Sequence, residues 1–443
     1  MKTIALRGNV VTDYEVWTGG TVLLEGSRVK DVSREPLAAD EVREYDDHFL
    51  CPGFVDLQVN GSFGVDIATE PGRVPELSRG LTATGVTSYL PTLISAPRDL
   101  YHETLPKLAD LARESIPGGA EVLGVHLEGP FINSERRGAH PAAHIVSADP
   151  GLLDELLDLG PVRMLTLAPE LEGAAQLTNS AGGRGAAVSA GHSDATFDLA
   201  RAAFGEVAGV THLFNAMSPL HHREPGIPGA AFAHPHVTCG IIADGWHVHP
   251  EMVALAFRAL GPDRLYLTTD AIAAAGMGPG EYSLATRRVY LDGGVPRLED
   301  GTIAGSILTM DEALKNILAF TGCTLPEAVR MAAATPARLV GEGKSKGRLV
   351  PGYDADITVL RSDLSIEAVY KGGSRIYSAG NLYAGTPRLG TSPQARGLPR
   401  RRASSRPEDV SYQHPGNSKH HDRYFKVDER QDPCREEGRQ ADD

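Results

Sequence analysis

The chain has 443 residues, an apolar share of 41% and a formal net charge of −14. That length accommodates one large α/β domain plus a smaller one. The acidic balance argues against a general nucleic-acid surface, while leaving room for a local basic pocket for one phosphate. Cys51, Cys239, Cys323 and Cys434 are widely spaced and form no C-x-x-C pair, which implies reduced thiols and a cytoplasmic setting. No apolar run approaches a membrane span, and Met1 to Arg7 hold no apolar core of a signal peptide.

Residues 1 to about 50 read as short strands and Gly-rich turns, with β patterns at Thr3 to Arg7 and Gly20 to Leu24. Gly347 to Leu360 looks alike, so the two chain ends are expected to pair into one small β domain around an inserted barrel. From Pro52 strand and helix alternate. Strands are expected at Gly53–Gln58, Gly85–Ile94, Val122–Leu127, Arg163–Leu167, Gly185–Gly191, Gly209–His212, Val237–Ala243 and Leu265–Thr269. Helices are expected at Glu76–Thr84, Asp99–Arg113, Pro150–Leu159, Thr196–Phe204, Pro250–Leu260, Thr309–Thr321 and Thr324–Ala333. About eight such units argue for a closed barrel of parallel strands. After about Gly385 both charge signs mix with few apolar residues, and a disordered tail is expected over 385–443.

Four of these strands run into an ionisable residue: Glu128, His192, His212 and Asp270. A parallel barrel gathers its strand ends on one face, where such enzymes work. Glu128, His192 and His212 are the kind of set that holds Zn²⁺ with a position left for water. A cation there acidifies water and polarises a carbonyl. Asp270 is then placed to take the proton from the water and hand it to a leaving amine. A lone His or Glu in such a place is more often structural; it is the coincidence of four that points to chemistry.

The surrounding motifs are more specific. They include Pro52-Gly-Phe-Val-Asp-Leu-Gln-Val-Asn-Gly61, His126-Leu-Glu-Gly-Pro130, Val188-Ser-Ala-Gly-His-Ser-Asp-Ala-Thr196 and Thr211-His-Leu-Phe-Asn-Ala-Met217. Arg223-Glu-Pro-Gly226, Gly240-Ile-Ile-Ala-Asp-Gly-Trp-His-Val248 and Thr268-Thr-Asp-Ala271 follow in order. By these stretches the chain, over about residues 1 to 384, resembles the N-acetylglucosamine-6-phosphate deacetylase family of the amidohydrolase superfamily. The resemblance implies a (β/α)8 TIM-like barrel over 52–344, and a small β-sandwich domain built from 1–51 plus 345–384. It implies hydrolysis of the acetamide of a phosphorylated amino sugar, giving acetate and the free amine, with Glu128, His192 and His212 as metal ligands and Asp270 as catalytic acid/base. His140, beside Ala139, matches a substrate-orienting residue, and Asn215 and Ala216 a backbone contact to the sugar phosphate. Arg223 and His247 match the phosphate site, part of which the family builds across a homodimer interface. One divalent metal is implied, Zn²⁺ first, with Fe²⁺, Co²⁺ and Mn²⁺ as alternatives.

Where many amidohydrolases carry His-x-His after the first strand, this chain reads Gln58-Val-Asn60. Amides are poor first ligands for Zn²⁺ beside imidazole, so a single tightly held metal is expected. Asp56 just before it reads as structural rather than as a ligand. A paired Arg223 and Glu224 is the rival to a phosphate role for Arg223. The galactosamine version of the reaction differs by one hydroxyl and is the nearest alternative. A dipeptidase or deaminase is more distant, and so is a barrel kept only as a binding protein. The intact set Glu128, His192, His212 and Asp270 favours an enzyme.

Overall fold

A computed structural model describes residues 1–380. The last residues of the expected C-terminal β segment, 381–384, and the whole expected tail, 385–443, lie outside the described residues.

Eight parallel strands follow one another in chain order around a nearly closed barrel. They are Phe54–Val59, Val86–Leu93, Val125–Glu128, Val162–Leu167, Ala187–Ala190, Gly209–Val210, Thr238–Ile241 and Leu265–Leu267. The first two are buried at every position, as strands covered on both faces are, and so lack the polar–apolar alternation of a half-wet strand. Between the eighth strand and the first there is no full ladder. The seam is closed by a bridge of Val59 with Ala271, and by Asn60 and Gly61 N–H groups donating to the Ala271 carbonyl. The Asp56 carboxylate reinforces it, accepting from the Thr269 amide (3.2 Å) and from the hydroxyls of Thr268 (3.0 Å) and Thr269 (2.6 Å). Burial pushes this carboxyl up to about 6 against those hydrogen bonds. Asp56 is thus structural, as expected.

The helices between the strands bury apolar stripes against the barrel. Leu153, Leu156 and Leu157 do so on Pro150–Leu159, whose start is capped by Asp149 accepting from the Gly151 and Leu152 amides. Thr324 and Glu327 form a reciprocal cap at Leu325–Ala332. Three helices escaped the sequence reading, Ala174–Gly183, Gly226–Ala233 and the short Ala334–Leu339. The first is built of small residues, and the second is buried on several sides at Ile227, Pro228, Ala230 and Ala231, so neither shows a sharp apolar stripe. Also unforeseen is a three-stranded antiparallel sheet after the eighth barrel strand, Gly280–Leu284, Arg287–Asp292 and Val295–Arg297.

The two chain ends pair as expected. Ile357–Leu360 runs antiparallel to Glu41–Pro52 with Ile357 opposite Pro52, and Glu41–Pro52 runs parallel to Thr3–Val11. The result is one continuous seven-stranded mixed sheet with its own apolar cluster, in which Leu6, Val22 and Leu50 meet Ile357, Val359 and Tyr370. No helix among the described residues is long and apolar enough to cross a membrane.

Candidate metal centre and active site

Glu128 is the last residue of the third barrel strand, and it points inward beside buried His126 two positions earlier. His192 and His212 lie just beyond the fifth and sixth strands, and Asp270 beyond the eighth. The sixth strand was expected to reach His212; its ladder stops at Val210, because the chain turns there. His192, His212 and Asp270 all adopt left-handed backbone conformations, with φ of 48°, 32° and 50°. For non-glycine residues this is uncommon and costs energy, and such residues gather at functional sites. Each bend ends a strand and turns its side chain across the barrel mouth.

The three side chains converge. Glu128 Oε1 lies 2.9 Å from His212 Nε2 and 3.1 Å from His192 Nε2, and the two imidazole nitrogens are 3.1 Å apart. His192 Nδ1 donates to the Arg136 carbonyl at 2.9 Å, so its Nε2 carries the lone pair. Lone pairs crowded at such separations need a proton or a cation between them. A point about 2 Å from all three atoms exists above that triangle, which is a zinc–nitrogen or zinc–oxygen bond length. The donor set therefore fits a divalent cation. Burial alone would raise the Glu128 carboxyl, but the imidazoles of His140, His192 and His212 packed around it hold it well below the usual range.

Glu128, His140 and His192 also lie close enough together to hold a metal. The hydrogen bonds separate the two histidines. His140 Nδ1 accepts from the Ser95 amide at 3.2 Å, with the Ser95 hydroxyl at 2.9 Å. Its proton must therefore sit on Nε2, which lies 3.7 Å from Glu128 Oε2 and has no hydrogen-bond partner. Burial, then the neighbouring His192, push His140 down to about 4, so the ring is neutral. His140 presents a hydrogen where a ligand needs a lone pair.

The Gln58 and Asn60 amides, which sequence reasoning treated only as missing ligands, each hold a carboxylate. Gln58 Nε2 donates to Glu128 Oε1 and Asn60 Nδ2 to Asp270 Oδ1, both at 2.8 Å. Burial, followed by the charge of Glu128, pushes the Asp270 carboxyl up to about 8. A cation between the two groups would offset the Glu128 charge and draw that value down.

Asn60, Glu128, His140, His192, His212 and Asp270 face one cavity of about 410 Å³, which Ala139, Asn215, Ala216 and His247 also line. Asn215 donates its side-chain amide to the His212 and Leu213 carbonyls, and the Ala216 carbonyl accepts from the Ser193 amide. The loop carrying them is thereby tied to both histidine-bearing turns. His247 Nδ1 is 2.7 Å from Asp244 Oδ2. Arg223 is exposed and is not among the residues lining this cavity. Nor is it paired with Glu224, whose Oε1 accepts from the Phe197 and Gly226 amides. Asp244 was also missed, although its signal was present: an acid three residues before His247, across the turn-forming Gly245.

The sequence matches the amidohydrolase family over residues 49–376. The chain belongs to that family. Within this amidohydrolase family it is 40% identical, over 84% of its own length and 94% of the relative's, to human N-acetylglucosamine-6-phosphate deacetylase. It is 38% identical to an N-acetylgalactosamine-6-phosphate deacetylase of Escherichia coli O157:H7, over 76% and 89% of the two chains. Among solved amidohydrolase structures, a mutant N-acetyl-D-glucosamine-6-phosphate deacetylase of Mycobacterium smegmatis, in complex with N-acetyl-D-glucosamine-6-phosphate, matches with a TM-score of 0.79. It is 33% identical, over 85% of this chain and all of that one. The Thermotoga maritima N-acetylglucosamine-6-phosphate deacetylase matches with a TM-score of 0.76 and 34% identity, over 84% and 99%.

Proposed function

We propose that this amidohydrolase removes the acetyl group of N-acetylglucosamine 6-phosphate, releasing acetate and glucosamine 6-phosphate. The observation that carries the reading is the cavity in which the Glu128, His192 and His212 triangle faces Asp270. In this reading Glu128, His192 and His212 hold one divalent metal, Zn²⁺ before Fe²⁺, Co²⁺ or Mn²⁺. When bound, it supplies Lewis acidity to water and carbonyl oxygen.

Asp270 accepts a proton from the attacking water and delivers it to the sugar nitrogen as the C–N bond breaks. Asn60 fixes one oxygen of that carboxylate, leaving the other for the transfer. The His140 Nε2–H donates to an oxygen of the substrate and orients it. Ala139, Asn215 and Ala216 form the cavity wall around the sugar, and His247 meets the phosphate. Arg223 lies outside the cavity of its own chain, and in this reading it reaches the phosphate site of a partner copy across a homodimer interface. Free Cys51, Cys239 and Cys323 accord with a cytoplasmic setting. The small domain expected over 1–51 with 345–384, described as far as residue 380, and the barrel of 52–344 are read as two domains, a division supported by the separate apolar cluster of the sheet.

The test is acetate release from N-acetylglucosamine 6-phosphate by protein stripped of metal and titrated with Zn²⁺. The expected result is activity that saturates near one equivalent. Release from the galactosamine isomer alone would support the second reading, which the 38% identical E. coli relative favours. No release from either sugar at any metal loading would move the reading to another substrate or to a binding protein.

A further inference from the structure

His247 is held unusually completely by one carboxylate. Asp244 follows the seventh barrel strand, and Gly245, with φ of 77°, lets the chain fold back over it. Asp244 Oδ1 accepts from the backbone amides of Trp246 and His247, both at 2.8 Å. Its Oδ2 takes His247 Nδ1 at 2.7 Å. One carboxylate thus fixes both the peptide and the ring of the same residue. The Asn316 side chain anchors the preceding residue by donating to the Ala243 carbonyl at 2.8 Å. The pair is withdrawn from solvent, with 13% of the Asp244 side chain and 8% of the His247 side chain exposed. Burial would raise the Asp244 carboxyl, but the hydrogen bond and charge of His247 outweigh it and hold it below its ordinary value.

This geometry decides what His247 offers to the cavity it lines. A carboxylate at Nδ1 requires a hydrogen on that nitrogen. Nε2 is then the ring's remaining polar atom, and it has no hydrogen-bond partner among the described residues. A neutral ring would present a lone pair there and repel an anion. The ring carrying both hydrogens presents N–H, and its charge is compensated from behind by Asp244. A guanidinium, that of Arg136, also lines the cavity wall. It is engaged by Asp194, with Nε at 2.8 Å and Nη2 at 2.6 Å from Oδ1.

We propose that Asp244 is a positioning residue that holds His247 as a doubly protonated donor, making this dyad the anion-recognising element of the chain's own cavity for a phosphate monoester. The inference rests on the phosphate reading given above. It adds that discrimination for the phosphate depends on a residue that does not touch it.

The experiment measures kcat/KM for N-acetylglucosamine with and without its 6-phosphate and compares the ratio of the two between variants. Asp244→Asn keeps an oxygen for the two backbone amides but puts an NH₂ group against Nδ1, which drives the ring to its neutral form. It is expected to lower the ratio roughly 10-fold, mainly through KM of the phosphorylated sugar. Combined with His247→Ala it should lower the ratio no further than His247→Ala alone. If His247→Ala leaves the ratio unchanged, the phosphate reading of this site falls. If His247→Ala lowers it and Asp244→Asn does not, or if Asp244→Asn weakens both substrates equally, only the role of Asp244 falls. Independently of any variant, ¹⁵N-histidine spectra of the unmutated protein with saturating inorganic phosphate should show hydrogen on both ring nitrogens of His247. A neutral ring in that state overturns the inference.

Discussion

Which histidine completes the metal site turns on the placement of one hydrogen. His140 and His212 both lie near Glu128 and His192, but the Ser95 amide occupies Nδ1 of His140 and forces its hydrogen to Nε2. His212→Asn should therefore cost metal affinity by more than the roughly 10–100-fold typical of losing a group that merely supports a ligand. His140→Asn should keep one equivalent and lose turnover. Metal analysis after dialysis separates the two, and retention of metal by the His212 variant would refute the assignment. Asp270→Asn likewise should keep its metal but lose about 10²–10⁴-fold in kcat, the usual share of a proton shuttle. Unchanged turnover would remove Asp270 from that role. Arg223→Ala should raise KM for the phosphorylated sugar with kcat little changed, if its contact is uniform binding. Because Arg223 lies outside its own cavity, mixing this variant with inactive Asp270→Asn protein should restore low-KM sites in mixed dimers. Their absence would sink the shared-site reading.

At the scale of elements, the active site is a property of strand ends. The left-handed turns at His192, His212 and Asp270 are uncommon conformations that the surrounding loops hold in place. His192 is fixed on one side by the Arg136 carbonyl, and its own carbonyl accepts from the Asn133 amide. Asp270 is fixed at its carbonyl by the Ser306 amide. The seam beneath Asp270 has only one bridge and two amide contacts in place of a full backbone ladder, and Asp56 reinforces it. Asp56→Ala takes the acceptor from two hydroxyls and two amides in a buried site, each worth about 1–3 kcal/mol where it is left unpaired. Denaturant unfolding should show a loss of about 3 kcal/mol or more, and activity should fall with it. A change below about 1 kcal/mol would mean the seam closes without that carboxylate.

At the scale of the molecule, the sheet and the barrel share a cluster of charges. Lys346 Nζ contacts Glu121 and Asp354, each at 2.7 Å, and Asp356 at 3.2 Å. Lys371 contacts Glu121 at 2.6 Å and Asp356 at 2.8 Å. Glu121 belongs to the barrel side and Asp356 and Lys371 to the C-terminal strands. Burial raises both carboxyls, but the two lysines outweigh it and hold Glu121 and Asp356 below their ordinary values of 4.5 and 3.8. Groups depressed in the folded state stabilise it above their unfolded values and lose that contribution as pH falls through the folded ones. Stability should therefore drop on acidification from about pH 5 toward pH 3. Lys346→Met should cost toward the lower end of ~3–5 kcal/mol at pH 7, since Lys371 remains beside Asp356. It should also flatten the acid limb in a urea titration. An unchanged acid limb would place the pH dependence elsewhere.

Much of this was legible along the chain. The strand–helix alternation fixed a parallel barrel, because covered strands and amphipathic helices each leave a local pattern. Glu128, His192, His212 and Asp270 were legible because each stands where an apolar run stops. The helices Ala174–Gly183 and Gly226–Ala233 were not, because small or all-round buried segments leave no stripe. Sequence by itself determined which residue types stand at the barrel mouth and therefore which chemistry is within reach. Only the tertiary structure decided how they divide the work. The tautomer of His140, the carboxylate contacts of Gln58 and Asn60, the double grip of Asp244 on His247 and the exclusion of Arg223 from its own cavity depend on hydrogen-bond directions between distant strand ends. No local pattern in a chain records those directions, because they are set by where the barrel brings its loops together.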